Sequence, residues 1–224
     1  MMMEIFLRLP VKSILRFRAV CRSWAAELAS EEFCRLHTVK SETSSVLPKL
    51  LFISPTAGFD AIAVYLASSL GPDDGLLFTL QRDTVVPAYH VRGALLDITP
   101  APCRGLTLLH DAVTPAYYVF NAATRAVTRL PTYQDPVFAT AGLGFDARTN
   151  KYKVVRLFKA EFTRQRIKCE IYTLGGEHGD CWRPAAGGVP FRFCSAADGA
   201  ISYAVWDKLL PVFANGFLHW LTDP

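Results

Sequence analysis

Three stretches of this chain carry residue types that could do chemistry. Gly142-x-Gly144-x-x-Ala147 has the spacing of a dinucleotide-binding loop, in which glycines let the backbone approach a pyrophosphate. A working loop of that kind opens a helix whose N-terminus meets the phosphates. Here Thr149-Asn150-Lys151 leads into a run patterned as a strand, so the match is formal only. Glu177-His178-Gly179-Asp180-Cys181 gathers possible metal ligands. Adjacent residues cannot all point inward, however, and no second pair stands at metal spacing, so the run reads as a solvated turn. His110-Asp111 and His219 could act as bases, but no serine or cysteine occupies a nucleophile-elbow context and G-x-S-x-G is absent. His219, beside Trp220, reads as a packed strand residue. No catalytic residue, no metal ligand and no cofactor is expected. The reading is a binding protein, not an enzyme.

The elements that carry these residues fall into two kinds. Residues 7–28 hold an apolar stripe, Leu7, Val11, Ile14, Leu15, Phe17, Val20, Cys21, Trp24 and Leu28, at the three-and-four spacing of helices. Pro10 interrupts it, and proline belongs at the start of a second helix, not inside one. Arg8, Lys12, Arg16, Arg18 and Arg22 lie between the apolar positions. About 40 residues of helix bury too little surface to hold a full core, so the stripe needs another surface. The polar run Lys40-Ser41-Glu42-Thr43-Ser44-Ser45, ending at Pro48, then reads as a linker.

Beyond it, short runs rich in Val, Ile, Tyr, Phe and Leu alternate with Gly, Pro, Asp and Asn. Strands are expected at 49–54, 61–67, 76–81, 91–98, 105–110, 117–121, 126–130, 141–145, 152–158, 168–174 and 212–221. So many strands with little helix between them imply an antiparallel all-β body. Phe120-Asn121-Ala122-Ala123-Thr124 recurs 25 residues later as Phe145-Asp146-Ala147-Arg148-Thr149. Asn and Asp favour turns by bonding the backbone two residues on, so Asn121 and Asp146 are expected at exposed hairpin tips. Two such units in about 50 residues fit the period of propeller blades. Both faces of 152–158 carry apolar groups (Tyr152, Val154 and Phe158 against Val155 and Leu157), as a blade between neighbours requires. A β-sandwich is the alternative.

Bulk properties agree with a folded protein. Of 224 residues, 51% are hydrophobic and 20% charged, which excludes compositional disorder. The net charge of +4 with no polybasic run argues against nucleic-acid or membrane partners. Glu4, Arg8, Lys12 and Arg16 break any signal-peptide core, and Lys49, Pro55 and Asp60 interrupt the apolar stretch 47–70. The six cysteines form no C-x-x-C pair, as free thiols of the cytoplasm or nucleus would be arranged.

Two resemblances organise these readings. Leu7-Arg8-Leu9-Pro10-Val11-Lys12-Ser13, Leu15-Arg16-Phe17-Arg18 and Val20-Cys21-Arg22-Ser23-Trp24, with Phe33 and Leu36-His37 trailing, resemble the F-box of plant F-box proteins. That resemblance implies docking onto the Skp-family adaptor of a cullin–RING ubiquitin ligase through Leu9, Pro10, Val11, Leu15, Val20, Cys21 and Trp24. Residues 103–221 resemble the F-box-associated, kelch-like β-propeller domain. The carriers are Arg104-Gly105-Leu106, Val119-Phe120-Asn121-Ala122-Ala123-Thr124-Arg125, Leu143-Gly144-Phe145-Asp146, Lys151-Tyr152-Lys153-Val154-Val155, Glu170-Ile171-Tyr172, Cys181-Trp182-Arg183 and Asn215-Gly216-Phe217-Leu218-His219-Trp220. Ala122 and Ala147 stand where that family usually has proline, which loosens each turn.

The fold class expected is therefore α+β. An F-box over 1–40 with a shortened first helix is followed by a linker at 41–48 and a propeller-like domain over 49–224. The family pattern opens upstream of Met1 and continues past Pro224, so the box and the propeller are both expected to be incomplete, the latter an open arc. The function implied is a substrate-recruiting subunit of an Skp–cullin–F-box ligase. The alternative is a β-rich interaction module that no longer docks. The target protein, and the residues that would bind it, stay unidentified.

Overall fold

The computed structural model describes residues 2–43, 49–56, 58, 60–68, 75–82, 96–99, 102–133, 138–159, 168–176, 181–186 and 210–220. Four helices come first: α1 (Met2–Phe6), α2 (Val11–Phe17), α3 (Arg22–Ala29) and α4 (Glu31–Thr43). Strands follow: β1 (Lys49–Pro55), β2 (Ala61–Ser68), β3 (Gly75–Gln81), β4 (Leu96–Ile98), β5 (Thr107–Asp111), β6 (Ala116–Asn121) and β7 (Ala126–Arg129). The remainder are β8 (Phe138–Asp146), β9 (Lys151–Lys159), β10 (Lys168–Thr173), β11 (Arg183–Pro184), β12 (Val212–Ala214) and β13 (Phe217–His219). The chain divides into two compact units, Met1–Val85 with Asn121–Ala126, and Val86–Phe120 with Val127–Pro224.

In the first unit the helix breaks follow from the sequence. Pro10 is the N-cap of α2 in extended backbone (φ −60, ψ 149), one place before the first helical residue. Having no N–H, it leaves no orphan donor there, and its carbonyl accepts from Ser13 N and Ile14 N at 2.9 and 3.2 Å. The Cys21 Sγ caps α3 by accepting from Trp24 N at 3.5 Å, and the Ser30 Oγ caps α4 by accepting from Phe33 N at 3.2 Å. Phe6, Ile14, Leu28 and Phe33 are buried together, with Met3, Leu7, Leu9, Phe17 and Trp24 packed against them. Each such burial contributes about 1.5–3 kcal/mol. α4 runs on to Thr43, three residues into the stretch expected as linker; 44–48 lie outside the described residues.

The same unit holds a three-stranded antiparallel sheet, β1-β2-β3. Ile62, Val64 and Leu80 are buried on it, while Phe52, Tyr65 and Leu76, which are register partners across the three strands, stay exposed.

The second unit contains two four-stranded meanders, β4-β5-β6-β7 and β11-β10-β9-β8, and a two-stranded piece, β12-β13. Consecutive strands pair in order within each meander. That winding is a propeller blade's, whereas a Greek-key sandwich sends successive strands to different sheets. First strands at Leu96 and Phe138 lie 42 residues apart, within the propeller range. One core joins Leu108, Tyr117, Val119, Ala141, Leu143, Phe145, Val154 and Tyr172. β6 is buried on both faces from Ala116 to Phe120, as the blade reading requires.

Three expectations are corrected in detail. The run 212–221 is not one strand but the β12–β13 hairpin. Its Asn215 (φ 52) and Gly216 (φ 83) supply the two left-handed positions of a type I′ turn. The strand expected at 105–110 starts at Thr107, because Arg104 (φ 46) and Gly105 (φ 80) form a tight turn closed by Cys103 and Leu106. The 25-residue repeat marks like turns at unlike places: Asn121 ends the third strand of one meander, Asp146 the first of the next. Both residues are half-buried, not exposed. Of the strand expected at 91–98, only Leu96–Ile98 falls within the described residues.

Candidate functional site

The helical unit exposes part of the surface that the sequence assigns to docking. Pro10, Leu15, Val20 and Cys21 are exposed, Val20 at 62%; Leu9, Val11 and Trp24 are half-buried. On α2 Ile14 is buried, while the next residue, Leu15, is exposed at 36%. Arg18 to Ser23, the connection from α2 together with the first two residues of α3, are six consecutive exposed residues. Trp24 has an inward task that the spacing did not reveal. Its ring meets Phe6 edge-on at 5.0 Å and Phe17 at 5.7 Å, and Phe6 and Phe17 are 5.9 Å apart. His37 ties the last helix to the first turn, with Nε2 2.9 Å from the Leu9 carbonyl.

The second unit holds a polar cluster within its core. His110 Nδ1 lies 3.1 Å from Asp97 Oδ2, and Nε2 lies 2.9 Å from the Tyr133 hydroxyl. Tyr117 stacks on the imidazole at 4.5 Å. Its buried phenol has a pKa well above the usual range, because burial disfavours the charged form and Tyr133 adds to the effect. Arg156, only 1% exposed, pairs with Glu170 across the β9–β10 ladder. Its guanidinium carbon sits 3.9 Å from the Tyr133 ring centre, 4.5 Å from Phe158 and 5.0 Å from Trp182. Its Nε and Nη1 make no hydrogen bond among the described residues. The aromatic faces substitute for those missing acceptors. Cys103 is buried in the same core, and its thiol is pushed up to about 11 by burial.

Of the Asp97–His110–Tyr133 chain, Asp97 and His110 line only a small recess among the described residues. The recess formed by Asp97, Thr99, Leu108, His110, Tyr117, Thr140 and Leu210 has room for about one water molecule. Small-molecule sites need about 300 Å³ or more. Among the described residues no group of three or more metal-ligating side chains converges. Residues 177–180 of the candidate metal run lie outside the described residues.

Gly142 and Gly144 have a packing role instead of a phosphate-binding one. A Cβ at 142 would stand 2.4 Å from Pro211 Cγ and 2.9 Å from Leu218 Cδ2, and one at 144 would stand 3.1 Å from Phe213 Cδ2. The glycines let the β12–β13 hairpin lie on β8, and β8 continues into a turn and β9 with no helix between. His219 Nε2 lies 3.3 Å from the Ala214 carbonyl, a cross-turn contact within that hairpin.

The turns reuse one chemistry. Asn121 Oδ1 accepts from Ala123 N (2.9 Å) and Thr124 N (3.2 Å). Asp146 accepts from Arg148 N (3.0 Å), the Thr149 hydroxyl (2.8 Å) and Lys153 Nζ. The Lys153 and Thr149 contacts hold the Asp146 carboxyl well below the usual carboxylate range. Asp111 makes a third such turn, accepting from Val113 N (3.0 Å) and the Thr114 hydroxyl (2.8 Å). The Asp/Asn-x-x-Thr spacing shared by all three could have shown it.

A helical segment with exposed apolar and basic residues is followed, among the described residues, by blade-like antiparallel meanders. Residues 1–36 match the F-box domain and residues 78–219 the F-box-associated β-propeller domain. The chain belongs to the plant F-box proteins that carry an F-box-associated domain. It is 28% identical to a putative F-box/kelch-repeat protein of Arabidopsis thaliana over 98% of this chain and 51% of that one. It is 29% identical to a second F-box/kelch-repeat protein of that plant, over 77% of this chain and 48% of the relative. The chain spans about half the length of the curated relatives it matches. No solved structure matches it. Among the described residues no helix is long and apolar enough to cross a membrane.

Proposed function

We propose that this chain recruits a target protein to an Skp–cullin–F-box ubiquitin ligase in the cytoplasm or nucleus. Residues 1–40 dock onto the Skp-family adaptor through Leu9, Pro10, Val11, Leu15, Val20, Cys21 and Trp24, and the β-body over 49–224 holds the target. The observation that carries this reading is the apolar surface left uncovered at Val20 and Leu15 within the segment matching the F-box. Exposed apolar groups of this kind mark interaction sites. The mechanism is positional. Holding a target beside the ligase's charged conjugating enzyme raises the effective concentration of its lysines, and no side chain of this chain reacts.

The test is co-purification of the full chain with a plant Skp-family adaptor, against Val20→Asp. Val20 is exposed, so its replacement leaves the helical core intact, unlike Trp24→Ala, which removes a ring that Phe6 and Phe17 pack on. The native chain should retain the adaptor and Val20→Asp should lose it. Equal retention would remove Val20 from the interface. No retention by either would leave a β-rich interaction module that does not dock.

A further inference from the structure

Two connections of the second unit turn on the same pair of left-handed residues. Between β12 and β13 they are Asn215 (φ 52) and Gly216 (φ 83), residue types that take this conformation readily. Between β4 and β5, in the turn closed by Cys103 and Leu106, they are Arg104 (φ 46) and Gly105 (φ 80). Arginine meets a steric penalty there that asparagine and glycine largely escape. Backbone strain of this kind gathers at binding sites. The Arg104 guanidinium carbon lies 3.7 Å from the centre of the Phe145 ring. One face of the guanidinium is thus covered, while Arg104 itself is exposed and its N–H groups make no hydrogen bond or ion pair among the described residues. Tyr152 stands edge-on to Phe145 at 5.0 Å and donates its hydroxyl to the Arg104 carbonyl at 3.4 Å, which fastens the turn to the β8–β9 hairpin. Arg148, three residues after Phe145 in that hairpin's own turn, is also exposed, and its guanidinium has no ion-pair partner among the described residues. The described acids of this region are engaged elsewhere: Asp146 with Lys153 and Thr149, Asp97 with His110, and Asp111 within its own turn. Glu177 and Asp180 lie outside the described residues.

We propose that the surface formed by the Cys103–Leu106 and Asp146–Lys151 turns binds an acidic peptide segment, with Arg104 gripping one oxyanion edge-on and Arg148 adding charge beside it. The proposal rests on the reading of the β-body as the part that holds a target, and it names the chemistry of the segment held. A guanidinium laid on an aromatic ring is already oriented, so less freedom is lost when its fork engages a ligand. Two parallel N–H groups of that fork match two oxygens of one carboxylate or phosphate. The shared chemistry is therefore an oxyanion with two oxygens to offer, on an aspartate or glutamate or on a phosphorylated serine. A nucleic-acid backbone offers such oxygens too, but it calls for a track of cations and for exposed rings on which bases stack. Here the ring beneath Arg104 is buried, and the unpaired cations described at these two turns are Arg104 and Arg148. A short peptide fits that arrangement.

The experiment is fluorescence-anisotropy titration of the full chain, at about 50 mM salt, with labelled peptides of one glycine–serine scaffold carrying glutamates, phosphoserines or glutamines. At least one acidic peptide should bind about tenfold or more tighter than the glutamine peptide, and which one does identifies the source of the oxyanion. Arg104→Met keeps a cover over Phe145 without the N–H donors, and Arg104→Asn suits the left-handed backbone. Both should weaken acidic-peptide binding about tenfold or more, with unfolding midpoints close to the native one. Arg104→Lys, which keeps the charge without the fork, should fall between them and the native chain. Arg148→Gln should weaken binding by no more than about fivefold and flatten its salt dependence. A glutamine peptide that binds as well as the acidic ones would overturn this inference and leave the ligase reading standing, because adaptor co-purification is read separately. Lowered unfolding midpoints with unchanged binding in the Met and Asn variants would make Arg104 a cover for Phe145 only, and overturn it too. Tighter binding of an RNA oligonucleotide or of phosphatidylserine-containing vesicles than of either acidic peptide would assign the cations to those polyanions and likewise overturn it. Arg104-dependent binding of an acidic peptide by a chain that fails to retain the adaptor would sustain this inference and overturn the ligase reading alone.

Discussion

Arginine meets opposite fates in the two units. Arg156 is 1% exposed, pinned by Glu170 and covered by Tyr133, Phe158 and Trp182. Arg16, Arg18 and Arg22 lie in the open and make no ion pair among the described residues. A buried cation must find its compensation inside the fold, because desolvation is otherwise prohibitive. An exposed one is solvated already and needs no partner within the fold. The Arg156 and Lys153 charges of the β-body are compensated within the fold; those of Arg16, Arg18 and Arg22 in the helical segment are left to solvent.

Substitutions break the comparison at its strongest point first. Arg156→Ala should cost about 3–5 kcal/mol, since it leaves the half-buried Glu170 unpaired and three rings without their cation. Arg16→Ala should change stability by no more than about 0.5 kcal/mol. Urea unfolding of the two variants measures both, and similar losses would erase the contrast. Gly142→Leu comes next. It forces side-chain atoms into the space of Pro211 and Leu218 and should destabilise by about 1–3 kcal/mol, read the same way. Asn121→Ala removes one acceptor from two turn N–H groups and should cost about 1 kcal/mol. The smallest effect is set by pH. Asp146 has a lowered pKa in the folded state, so its contribution is present above the unfolded carboxylate pKa of about 3.9 and is lost as pH falls through the folded value. The difference between native and Asp146→Asn unfolding midpoints should thus be steady near neutrality and shrink only in strong acid.

The helices were legible because their information is local. The spacing of Leu7 to Leu28, the break at Pro10 and the aromatic content of the stripe all act within a few turns of chain. Most strands were legible for the same reason, through apolar runs between turn residues. Arg156 was not. A charged residue amid Tyr152, Val154 and Phe158 reads as a solvated position. Only Tyr133 and Trp182, brought from elsewhere in the chain, make its site habitable. The Asp97–His110–Tyr133 chain was hidden likewise, its members 13 and 23 residues apart. The β12–β13 hairpin was missed for a different reason. Asn215-Gly216 is a strong local turn signal, but the apolar residues on both sides of it carry the pattern of one continuous strand. Arg183–Pro184 is too short a strand to leave a pattern.

The central claim is that the helices meet the partner adaptor while the polar-aromatic interior of the β-body stays structural. Hydrogen–deuterium exchange of the full chain, with and without a saturating Skp-family adaptor, tests it most directly. The account predicts slowed exchange confined to α1 through α3 and the Arg18–Cys21 connection, with β5, β6, β9 and β10 unchanged. Protection concentrated in those strands, with the helices exchanging as before, would contradict it.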